Sequence, residues 1–349
     1  MKMRPKEKFA MVFLLLLLIL TSSLMPPVFS SRESLKELDD LLLSKRTSEA
    51  EKNNSKKQLL SVIQPIEYEK AVDVVFDTPE AYHSYNASII NTEHGYDMIC
   101  RTAKGRTNKN FFLRYDKNLN LLRQQEIQVP SHLTMGIDED YPIVDCRLFL
   151  WNGEIWYTGW FYKSGQTVQK FAVGKLGTYV DDIPTAFQSL IRFMGPKEER
   201  WEKNWMQVLT NNRLQFIYLY DPFVLLEPNL ETSECKKVFS YSPPLDFSRF
   251  RGSADPIEFE NGYLMMVHER LDWKYTHRFV YLNRDFIITK ISLPFIFTHV
   301  GTEFCLAMTK DHSEKKIILP VSIEDADVKL LFLDLEYVKN LLYDIPTTH

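Results

Sequence analysis

The chain has 349 residues, 45% of them hydrophobic, 13% aromatic and 25% charged, with a formal net charge of −4 at neutral pH. This composition excludes a disordered polar chain and is long enough for one large or two ordinary domains. The slight acidic excess leaves no electrostatic case for a nucleic-acid partner, so any anion must be held by a local basic cluster.

Residues 1–30 read as targeting. "MKMRPKEK" places Lys2, Arg4, Lys6 and Lys8 ahead of the apolar run "FAMVFLLLLLIL", which "TSSLMPPVFS" follows. A cleavable signal fits, with Val28 and Ser30 as the small residues before the cut. A membrane anchor fits as well, if the helix runs to Met25 and stops at Pro26-Pro27. Such a helix of roughly 16 residues reaches only about 24 Å, short of a ~30 Å hydrocarbon core and better suited to a thin early-secretory membrane such as ER or Golgi. Either way the remainder is expected in the secretory lumen or outside the cell.

Residues 31–65 are charged, weakly helical and, up to Ile66, without aromatics, which suggests a polar stem or linker. Asn53-Asn54-Ser55 and Asn86-Ala87-Ser88 are glycosylation sequons, frequent enough by chance that they only agree with export. The four cysteines (Cys100, Cys146, Cys235, Cys305) lack paired spacing, which argues against zinc. Disulfides fit an exported protein, yet Cys146 and Cys305 lie inside apolar strands, where buried free thiols are the simpler reading.

From residue 66 to 349 the chain becomes a series of short strands with turn punctuation. "SIINTEHGYDMICR" is a hairpin around His94-Gly95, and "RLFLWNGEIWYTGW" turns at Asn152-Gly153. Residues 184–195 look helical. "MQVLTNNRLQFIYLY" then turns at Asn211-Asn212, "DPIEFENGYLMMVHE" at Asn261-Gly262, and "HRFVYLNRDFIITKISL" near Asn283-Arg284-Asp285. "KKIILPVSIEDADVKLLFL" closes the series, followed by a second helical stretch at 336–343. Seventeen tyrosines and 23 phenylalanines against 12 glycines agree with an all-β interior.

A polar residue leads into each hairpin unit: Asn86 in "YNASII", Asp145 in "IVDCRLF", Glu202 and Lys203 in "WEKNW", Ser253 in "RGSADPI" and Glu303 in "GTEFCLAM". Counting from Asn86 to Asp145, Glu202, Ser253 and Glu303, the successive gaps are 59, 57, 51 and 50 residues, the size of a propeller blade with insertions. The expected fold is therefore a five-bladed β-propeller whose five polar positions meet at one axial mouth. A two-sheet sandwich, the alternative, predicts no such recurrence.

On "YNASII…YDMICR", "VDCRLF", "EKNW", "GSADPI…GYLMMVHE", "YTHRFV" and "GTEFCLAM", the chain resembles the five-bladed propeller glycosidases and phosphorylases acting on β-mannosides, and the related β-1,2-mannosyltransferases. The resemblance covers most of 80–330. It implies that Asp145, matching the aspartate of the family's Glu-Asp-Pro-Arg, is the catalytic acid and that Arg147 contacts sugar or anion. Val144 and Cys146 replace the motif's Glu and Pro, and that departure keeps a non-catalytic glycan-binding propeller in view. It further implies His268 as a phosphate contact and Glu303 as the last family glutamate, while Arg101, Lys203 and Arg251 correspond by position within their blades.

The chemistry agrees in kind. Inverting hydrolysis uses two carboxyls with a water between one of them and the sugar. A phosphorylated donor or acceptor instead requires Arg, Lys and His to hold its charge. Arg101, Arg147, Lys203, Arg251, His268 and Arg278 near blade starts favour the second arrangement. Asp145 is the candidate acid/base, since partial burial among apolar neighbours would raise its pKa and suit an acid while Arg147 would lower it, and Glu202 is the second candidate. Trp201, Trp205 and Tyr263 are candidate sugar platforms, though aromatics this frequent also serve as core. Asp221-Pro222 reads as a strand end, and Asp138-Glu139-Asp140 and Asp325-Ala326-Asp327 as surface turns rather than metal-nucleotide motifs. No metal or other cofactor is implied. The expectation is inverting transfer of a β-mannosyl unit between a phosphorylated or nucleotide sugar and a glycan acceptor. Phosphorolysis, hydrolysis and plain glycan binding are the alternatives.

Overall fold

The structure is a computed structural model that describes residues 31–134, 136–138, 143–162, 169–193, 202–271 and 274–346. Residues 1–30, read above as targeting, Trp201 and most of Asp138–Asp140 lie outside these residues. Among the described residues, no helix is long and apolar enough to cross a membrane.

Five antiparallel sheets make up the body. Blade I holds His83–Thr92, Gly95–Lys104, Thr107–Tyr115 and Leu121–Ile127 from inside to outside. Blade II holds Val144–Trp151, Glu154–Tyr162 and the long strand Gln169–Val180, whose outer edge carries both Ile191–Phe193 and Ile183–Phe187. Blade III runs through Met206–Thr210, Arg213–Tyr220, Phe223–Asn229 and Glu234–Tyr241. In blade IV, Arg251–Gly252 and Ile257–Phe259 pair with Gly262–Leu271, and Lys274–Asn283, Ile288–Ser292 and Leu342–Asp344 follow. Blade V combines Glu303–Cys305, Thr309–Lys310, Lys316–Ile323 and Asp327–Asp334 with the early strand Lys70–Asp73 on its outer edge. The N-terminal part of the propeller thus closes its last blade.

Alternation along each strand sends apolar side chains to both faces, and both faces are buried because blades stack on one another. Five interblade clusters result. Ile99 and Phe112 meet Cys146 and Leu148; Phe149 and Phe171 meet Phe216 and Leu226. Met206 and Ile217 meet Met265 and Val280, and Leu264 and Phe279 meet Ile317 and Leu319. Ile318 and Leu330 return to Ala87 and Met98, which closes the ring. Two of the expected turns have the left-handed pair of residues that two-residue hairpins need, at Asn152-Gly153 and Asn211-Asn212.

Two expectations fail here. Of the expected helix at 184–195, the described residues up to 193 are not helical; Ile183–Phe187 and Ile191–Phe193 are edge strands drawn out by pairing with Gln169–Val180, so tertiary pairing overrides local propensity. The second helical stretch is present as Leu335–Leu341, capped by the Asp334 side chain. Residues 31–65, read as a stem, instead contain a helical hairpin, α1 (Ser31–Leu43) and α2 (Glu49–Val62), docked on the propeller. Leu35, Leu42, Leu59 and Ile63 are buried with Leu271 and Ile296. Their wide spacing hid a single apolar face that has a partner only in the folded molecule.

All four cysteines are free thiols, with Cys100, Cys146 and Cys305 buried. Asn86 is buried and its amide is hydrogen-bonded, so its sequon is closed to glycosylation in the folded chain.

Candidate active site at the axial mouth

A cavity of about 1050 Å³ opens at the end of the axis where the innermost strands of blades I and II begin. Asn86, Arg101, Asp145, Glu202, Lys203, Arg251 and His268 all line it. The local device that presents the first two blades' polar residues is a β-bulge. Register slips between Tyr85 and Ser88 in blade I and between Val144 and Arg147 in blade II. Asn86 (φ 49°) and Asp145 (φ 52°) sit in those bulges with left-handed backbone, which turns their side chains out of the strand alternation and into the mouth.

Asp145 is the hub. Its Oδ1 accepts from Asn86 Nδ2 at 2.7 Å and from Arg101 Nη1 at 2.7 Å, and its Oδ2 accepts from Trp160 Nε1 at 2.6 Å. Burial alone would raise its pKa, but the Arg101 charge and the three hydrogen bonds outweigh burial and hold it below the usual carboxylate value. Asp145 is therefore an anion pinned by its neighbours; of the two opposing effects expected on it, the nearby cation outweighs burial, and that cation is Arg101 rather than Arg147. Arg101 is oriented from its other side by Asn108 Oδ1, which accepts from its Nε at 2.8 Å, and its guanidinium lies over the Tyr85 ring at 4.6 Å.

Glu202, the second acid candidate, is fully buried in the cavity wall. Trp205 Nε1 donates to its Oε2 at 2.9 Å and the Tyr218 hydroxyl to its Oε1 at 3.1 Å, so both oxygens are occupied. Trp205 itself is covered by Phe171 in a stacked pair and serves the wall rather than an open sugar platform. Lys203 stands 5.8 Å from the Trp160 ring centroid, and burial lowers its pKa, with Arg101 and Arg270 adding to the effect against the pull of Asp145. His268 is driven well below its ordinary value by burial and by the neighbouring cations and His277, so it is a neutral imidazole, with Nδ1 unpartnered among the described residues.

Four expected site residues are elsewhere. Arg147 lies beneath the cavity floor, where Nη1 donates to the Ser253 carbonyl, to Leu306 O at 2.7 Å and to Asp255 Oδ1 at 3.2 Å. It ties blades II, IV and V across the axis, and a group so enclosed cannot meet a ligand at the mouth. Ser253 is fully buried and donates to Cys305 O at 2.6 Å. Glu303 is fully buried and accepts from the backbone N–H groups of Phe297, Thr298 and His299, fixing that loop. Arg278 faces α1, where it pairs with Asp39. Tyr263, a platform candidate, lies at the opposite end of the axis, in a second cavity of about 300 Å³, stacked on Phe286. Arg147, Ser253 and Glu303 are buried behind the mouth, Arg278 is turned toward α1 and Tyr263 lies at the far end of its strand, differences that spacing along the chain does not resolve.

Several lining residues carried only a weak signal or none. Tyr85, Trp160, Tyr275 and Phe304 provide aromatic wall, and Arg249 and Arg270 add charge. Asp221-Pro222, read as a strand end, also lines the cavity, with Asp221 paired to Lys45 of the α1–α2 connection at 3.1 Å. Asp325, read as a surface-turn residue, is at its rim.

Gly252 joins the wall between blades III and IV, and a Cβ there would stand 2.3 Å from the Asn204 carbonyl oxygen. Gly252→Ala is expected to destabilise the chain by about 1–3 kcal/mol through overpacking. Chemical denaturation compared with the native chain measures it; an unchanged midpoint contradicts the close approach.

No family model and no curated protein matches the chain. Solved structures do resemble it. A GH43 protein of Bacillus licheniformis superposes with a TM-score of 0.52 at 9% identity, over 77% of this chain and 58% of its own. A β-1,2-mannobiose phosphorylase from Listeria innocua gives 0.48 at 12% identity, over 76% and 94%. MPT-1, a GDP-Man-dependent mannosyltransferase from Leishmania mexicana, gives 0.46 at 13%, over 80% and 93%. At such identities the likeness is one of fold, and the chain is a five-bladed β-propeller with its polar cavity at one axial mouth.

Proposed function

We propose that the axial cavity is the active site of an inverting glycosyl-transferring enzyme that moves a β-mannosyl unit between a phosphorylated or nucleotide sugar and a glycan acceptor. One observation carries this reading: Arg101, Lys203, Arg249, Arg251, Arg270 and the neutral His268 share one cavity with aromatic walls, while Asp145 and Glu202 are both engaged by hydrogen-bond donors. Cations hold phosphate, aromatic faces suit the apolar face of a sugar ring, and engaged carboxylates are poor activators of water.

In this reading the phosphate of the donor lies among the cavity's cations. Asp145 holds Arg101 and Asn86 in place and offers an anionic edge to sugar hydroxyls. The hexose lies against Tyr85, Trp160 or Tyr275. The acceptor enters through the open mouth and attacks from the face opposite the phosphate. Residues 1–30 would deliver the propeller to the secretory pathway and hold it at the membrane; their basic flank and apolar run support that, and protease protection of the propeller in intact microsomes tests it.

The similar structures suggest the donors to compare. Purified chain is incubated with GDP-mannose or with mannose 1-phosphate, each with oligomannose acceptors, and in parallel with β-1,2-mannobiose, with and without inorganic phosphate. Chain extension from GDP-mannose or mannose 1-phosphate is the expected result. Release of mannose from mannobiose in water without extension would make the protein a hydrolase. Saturable oligomannose binding with no turnover of any donor would make it a glycan-binding propeller.

A further inference from the structure

The cavity contains four carboxylates among the described residues, and three of them are committed. Asp145 accepts from Asn86, Arg101 and Trp160; Glu202 accepts from Trp205 and Tyr218; Asp221 is paired with Lys45. Asp325 accepts no side-chain hydrogen bond from the described residues, and its surface is open to the water of the cavity.

Its position is nonetheless held firmly. Glu324 and Asp325 are the two central residues of the tight turn between Lys316–Ile323 and Asp327–Asp334, with φ of 50° and 51°. That turn type favours Asn, Asp and Gly, so Asp325 accepts the backbone readily, whereas its neighbour Glu324 gains nothing from left-handed backbone. The turn is clamped from both sides. The Glu324 N–H donates to Thr302 O at 2.8 Å, and the Glu324 carboxylate accepts from Thr302 N at 3.0 Å and bonds His299 Nε2 at 2.7 Å. On the blade I side, Ser84 N donates to Ala326 O at 3.3 Å. A disfavoured backbone that several contacts hold in place is the kind of feature that gathers at functional sites.

We infer that Asp325, not Asp145, is the residue that moves the proton in the transfer reaction, as general base toward the acceptor hydroxyl. This inference rests on the glycosyl-transfer reading above. The acceptor oxygen bonds the anomeric carbon while its proton passes to the Asp325 carboxylate. The bond from that carbon to the donor phosphate oxygen breaks, and its electron pair leaves with the phosphate, held by the cavity's cations. The proton then goes to water through the open mouth. In the reverse direction the protonated Asp325 donates to the departing sugar oxygen. No oxidant, metal or further reactant is required.

The electrostatics divide the two aspartates in the same sense. Partial enclosure by the cavity wall and the Asp145 and Glu324 charges raise the pKa of Asp325 against the opposing Arg101, and its charge acts in turn on Tyr275. Asp145 is shifted down. Environments that push two carboxyls apart separate the proton-transferring group from the fixed anion, and the weaker acid is the better base near neutrality.

The test uses the full-length chain with GDP-mannose, or with mannose 1-phosphate, and an oligomannose acceptor. Asp325→Asn is expected to lower kcat by about 100-fold or more with donor KM within about threefold of the native value. Its melting temperature should stay level or rise, since Asn tolerates left-handed backbone better. Asp325→Ala should recover at least about tenfold with added formate, which supplies a small carboxylate in the vacated space. Asp325→Asn turning over within about threefold of the native chain overturns the inference and leaves the glycosyl-transfer reading standing. Lost activity accompanied by a lower melting temperature and no response to formate overturns it in favour of a structural turn. A native chain inert toward both donors overturns the transfer reading, and this inference with it.

Discussion

Asp39→Ala is expected to destabilise the folded chain by about 3–5 kcal/mol, a large part of the ~5–15 kcal/mol that holds a typical domain together. Asp39 and Arg278 are both fully buried between α1 and blade IV. Arg278 Nη1 donates to Asp39 Oδ2 at 2.8 Å, Nη2 donates to Oδ1, and the Tyr343 hydroxyl donates to Oδ2 at 3.0 Å. Alanine removes the anion and leaves a guanidinium enclosed without its counter-charge, whose Nε already has no partner among the described residues. The expected large loss therefore measures a stranded charge rather than the net worth of the pair. Asp39→Leu combined with Arg278→Met should recover much of the stability, because apolar residues of similar size can fill that space without desolvating ions. Equilibrium denaturation of the single and double variants checks this; a loss below about 1 kcal/mol for Asp39→Ala would mean that α1 does not dock as described.

The same variant should act on the site. Leu42 O accepts from Arg249 Nη2 at 3.0 Å, Leu43 O accepts from Asp246 N at 2.6 Å, and Lys52 pairs with Asp246. Arg249, Phe250 and Arg251 form one wall of the cavity, so the helical hairpin braces the basic wall from behind. An unbraced wall is expected to raise the donor KM more than it lowers kcat.

Asp145→Asn is expected to reduce kcat/KM by about 100-fold or more, for a different reason than Asp325→Asn. The amide is nearly isosteric, but it neutralises the anion that Arg101, Asn86 and Trp160 converge on, and one half of it is a donor facing donors. Arg101 then loses its orientation, and the loss should divide between KM and kcat. Formate should restore nothing, because no space is vacated. Stability gives an independent check. The folded-state pKa of Asp145 lies below its unfolded value, so its contribution to stability is complete above the unfolded carboxyl range near pH 4 and is lost as pH falls through the lower folded value. The denaturation midpoints of native chain and Asp145→Asn should differ at neutral pH and converge toward strong acid. An unchanging gap across that range would mean that Asp145 is not the paired anion described here. Retained turnover would remove it from the machinery altogether.

The two aspartates also show where reading the sequence succeeded and failed. Asp145 was legible because it recurs with Asn86 and Glu202 at blade spacing, just ahead of apolar strands. Its role was not, because an apolar flank in sequence says nothing about Arg101, 44 residues away, which reverses the effect of burial. Asp325 lies in a segment typical of exposed hairpin ends, and only the clamps on its turn and the ring closure bring it to the mouth. Arg278 erred the other way: a basic residue beside an aromatic strand suggested a ligand contact, while its partner was an aspartate in a segment read as linker.

What the chain determined by itself is the local order of things. Turn pairs such as Asn152-Gly153, runs of β-branched and aromatic residues, and a polar residue before each hairpin are short-range properties, and they were enough to specify strands and five repeating units; of the five polar positions expected at one mouth, Asn86, Asp145 and Glu202 reach it and Ser253 and Glu303 do not. Which of those polar residues reach solvent, which carboxylate is pinned and which is free, and what α1 and α2 cover were decided only by the closed ring. These depend on bulges that rotate single side chains and on charges brought together from distant blades, and interactions of that kind do not exist until the chain has folded around its axis.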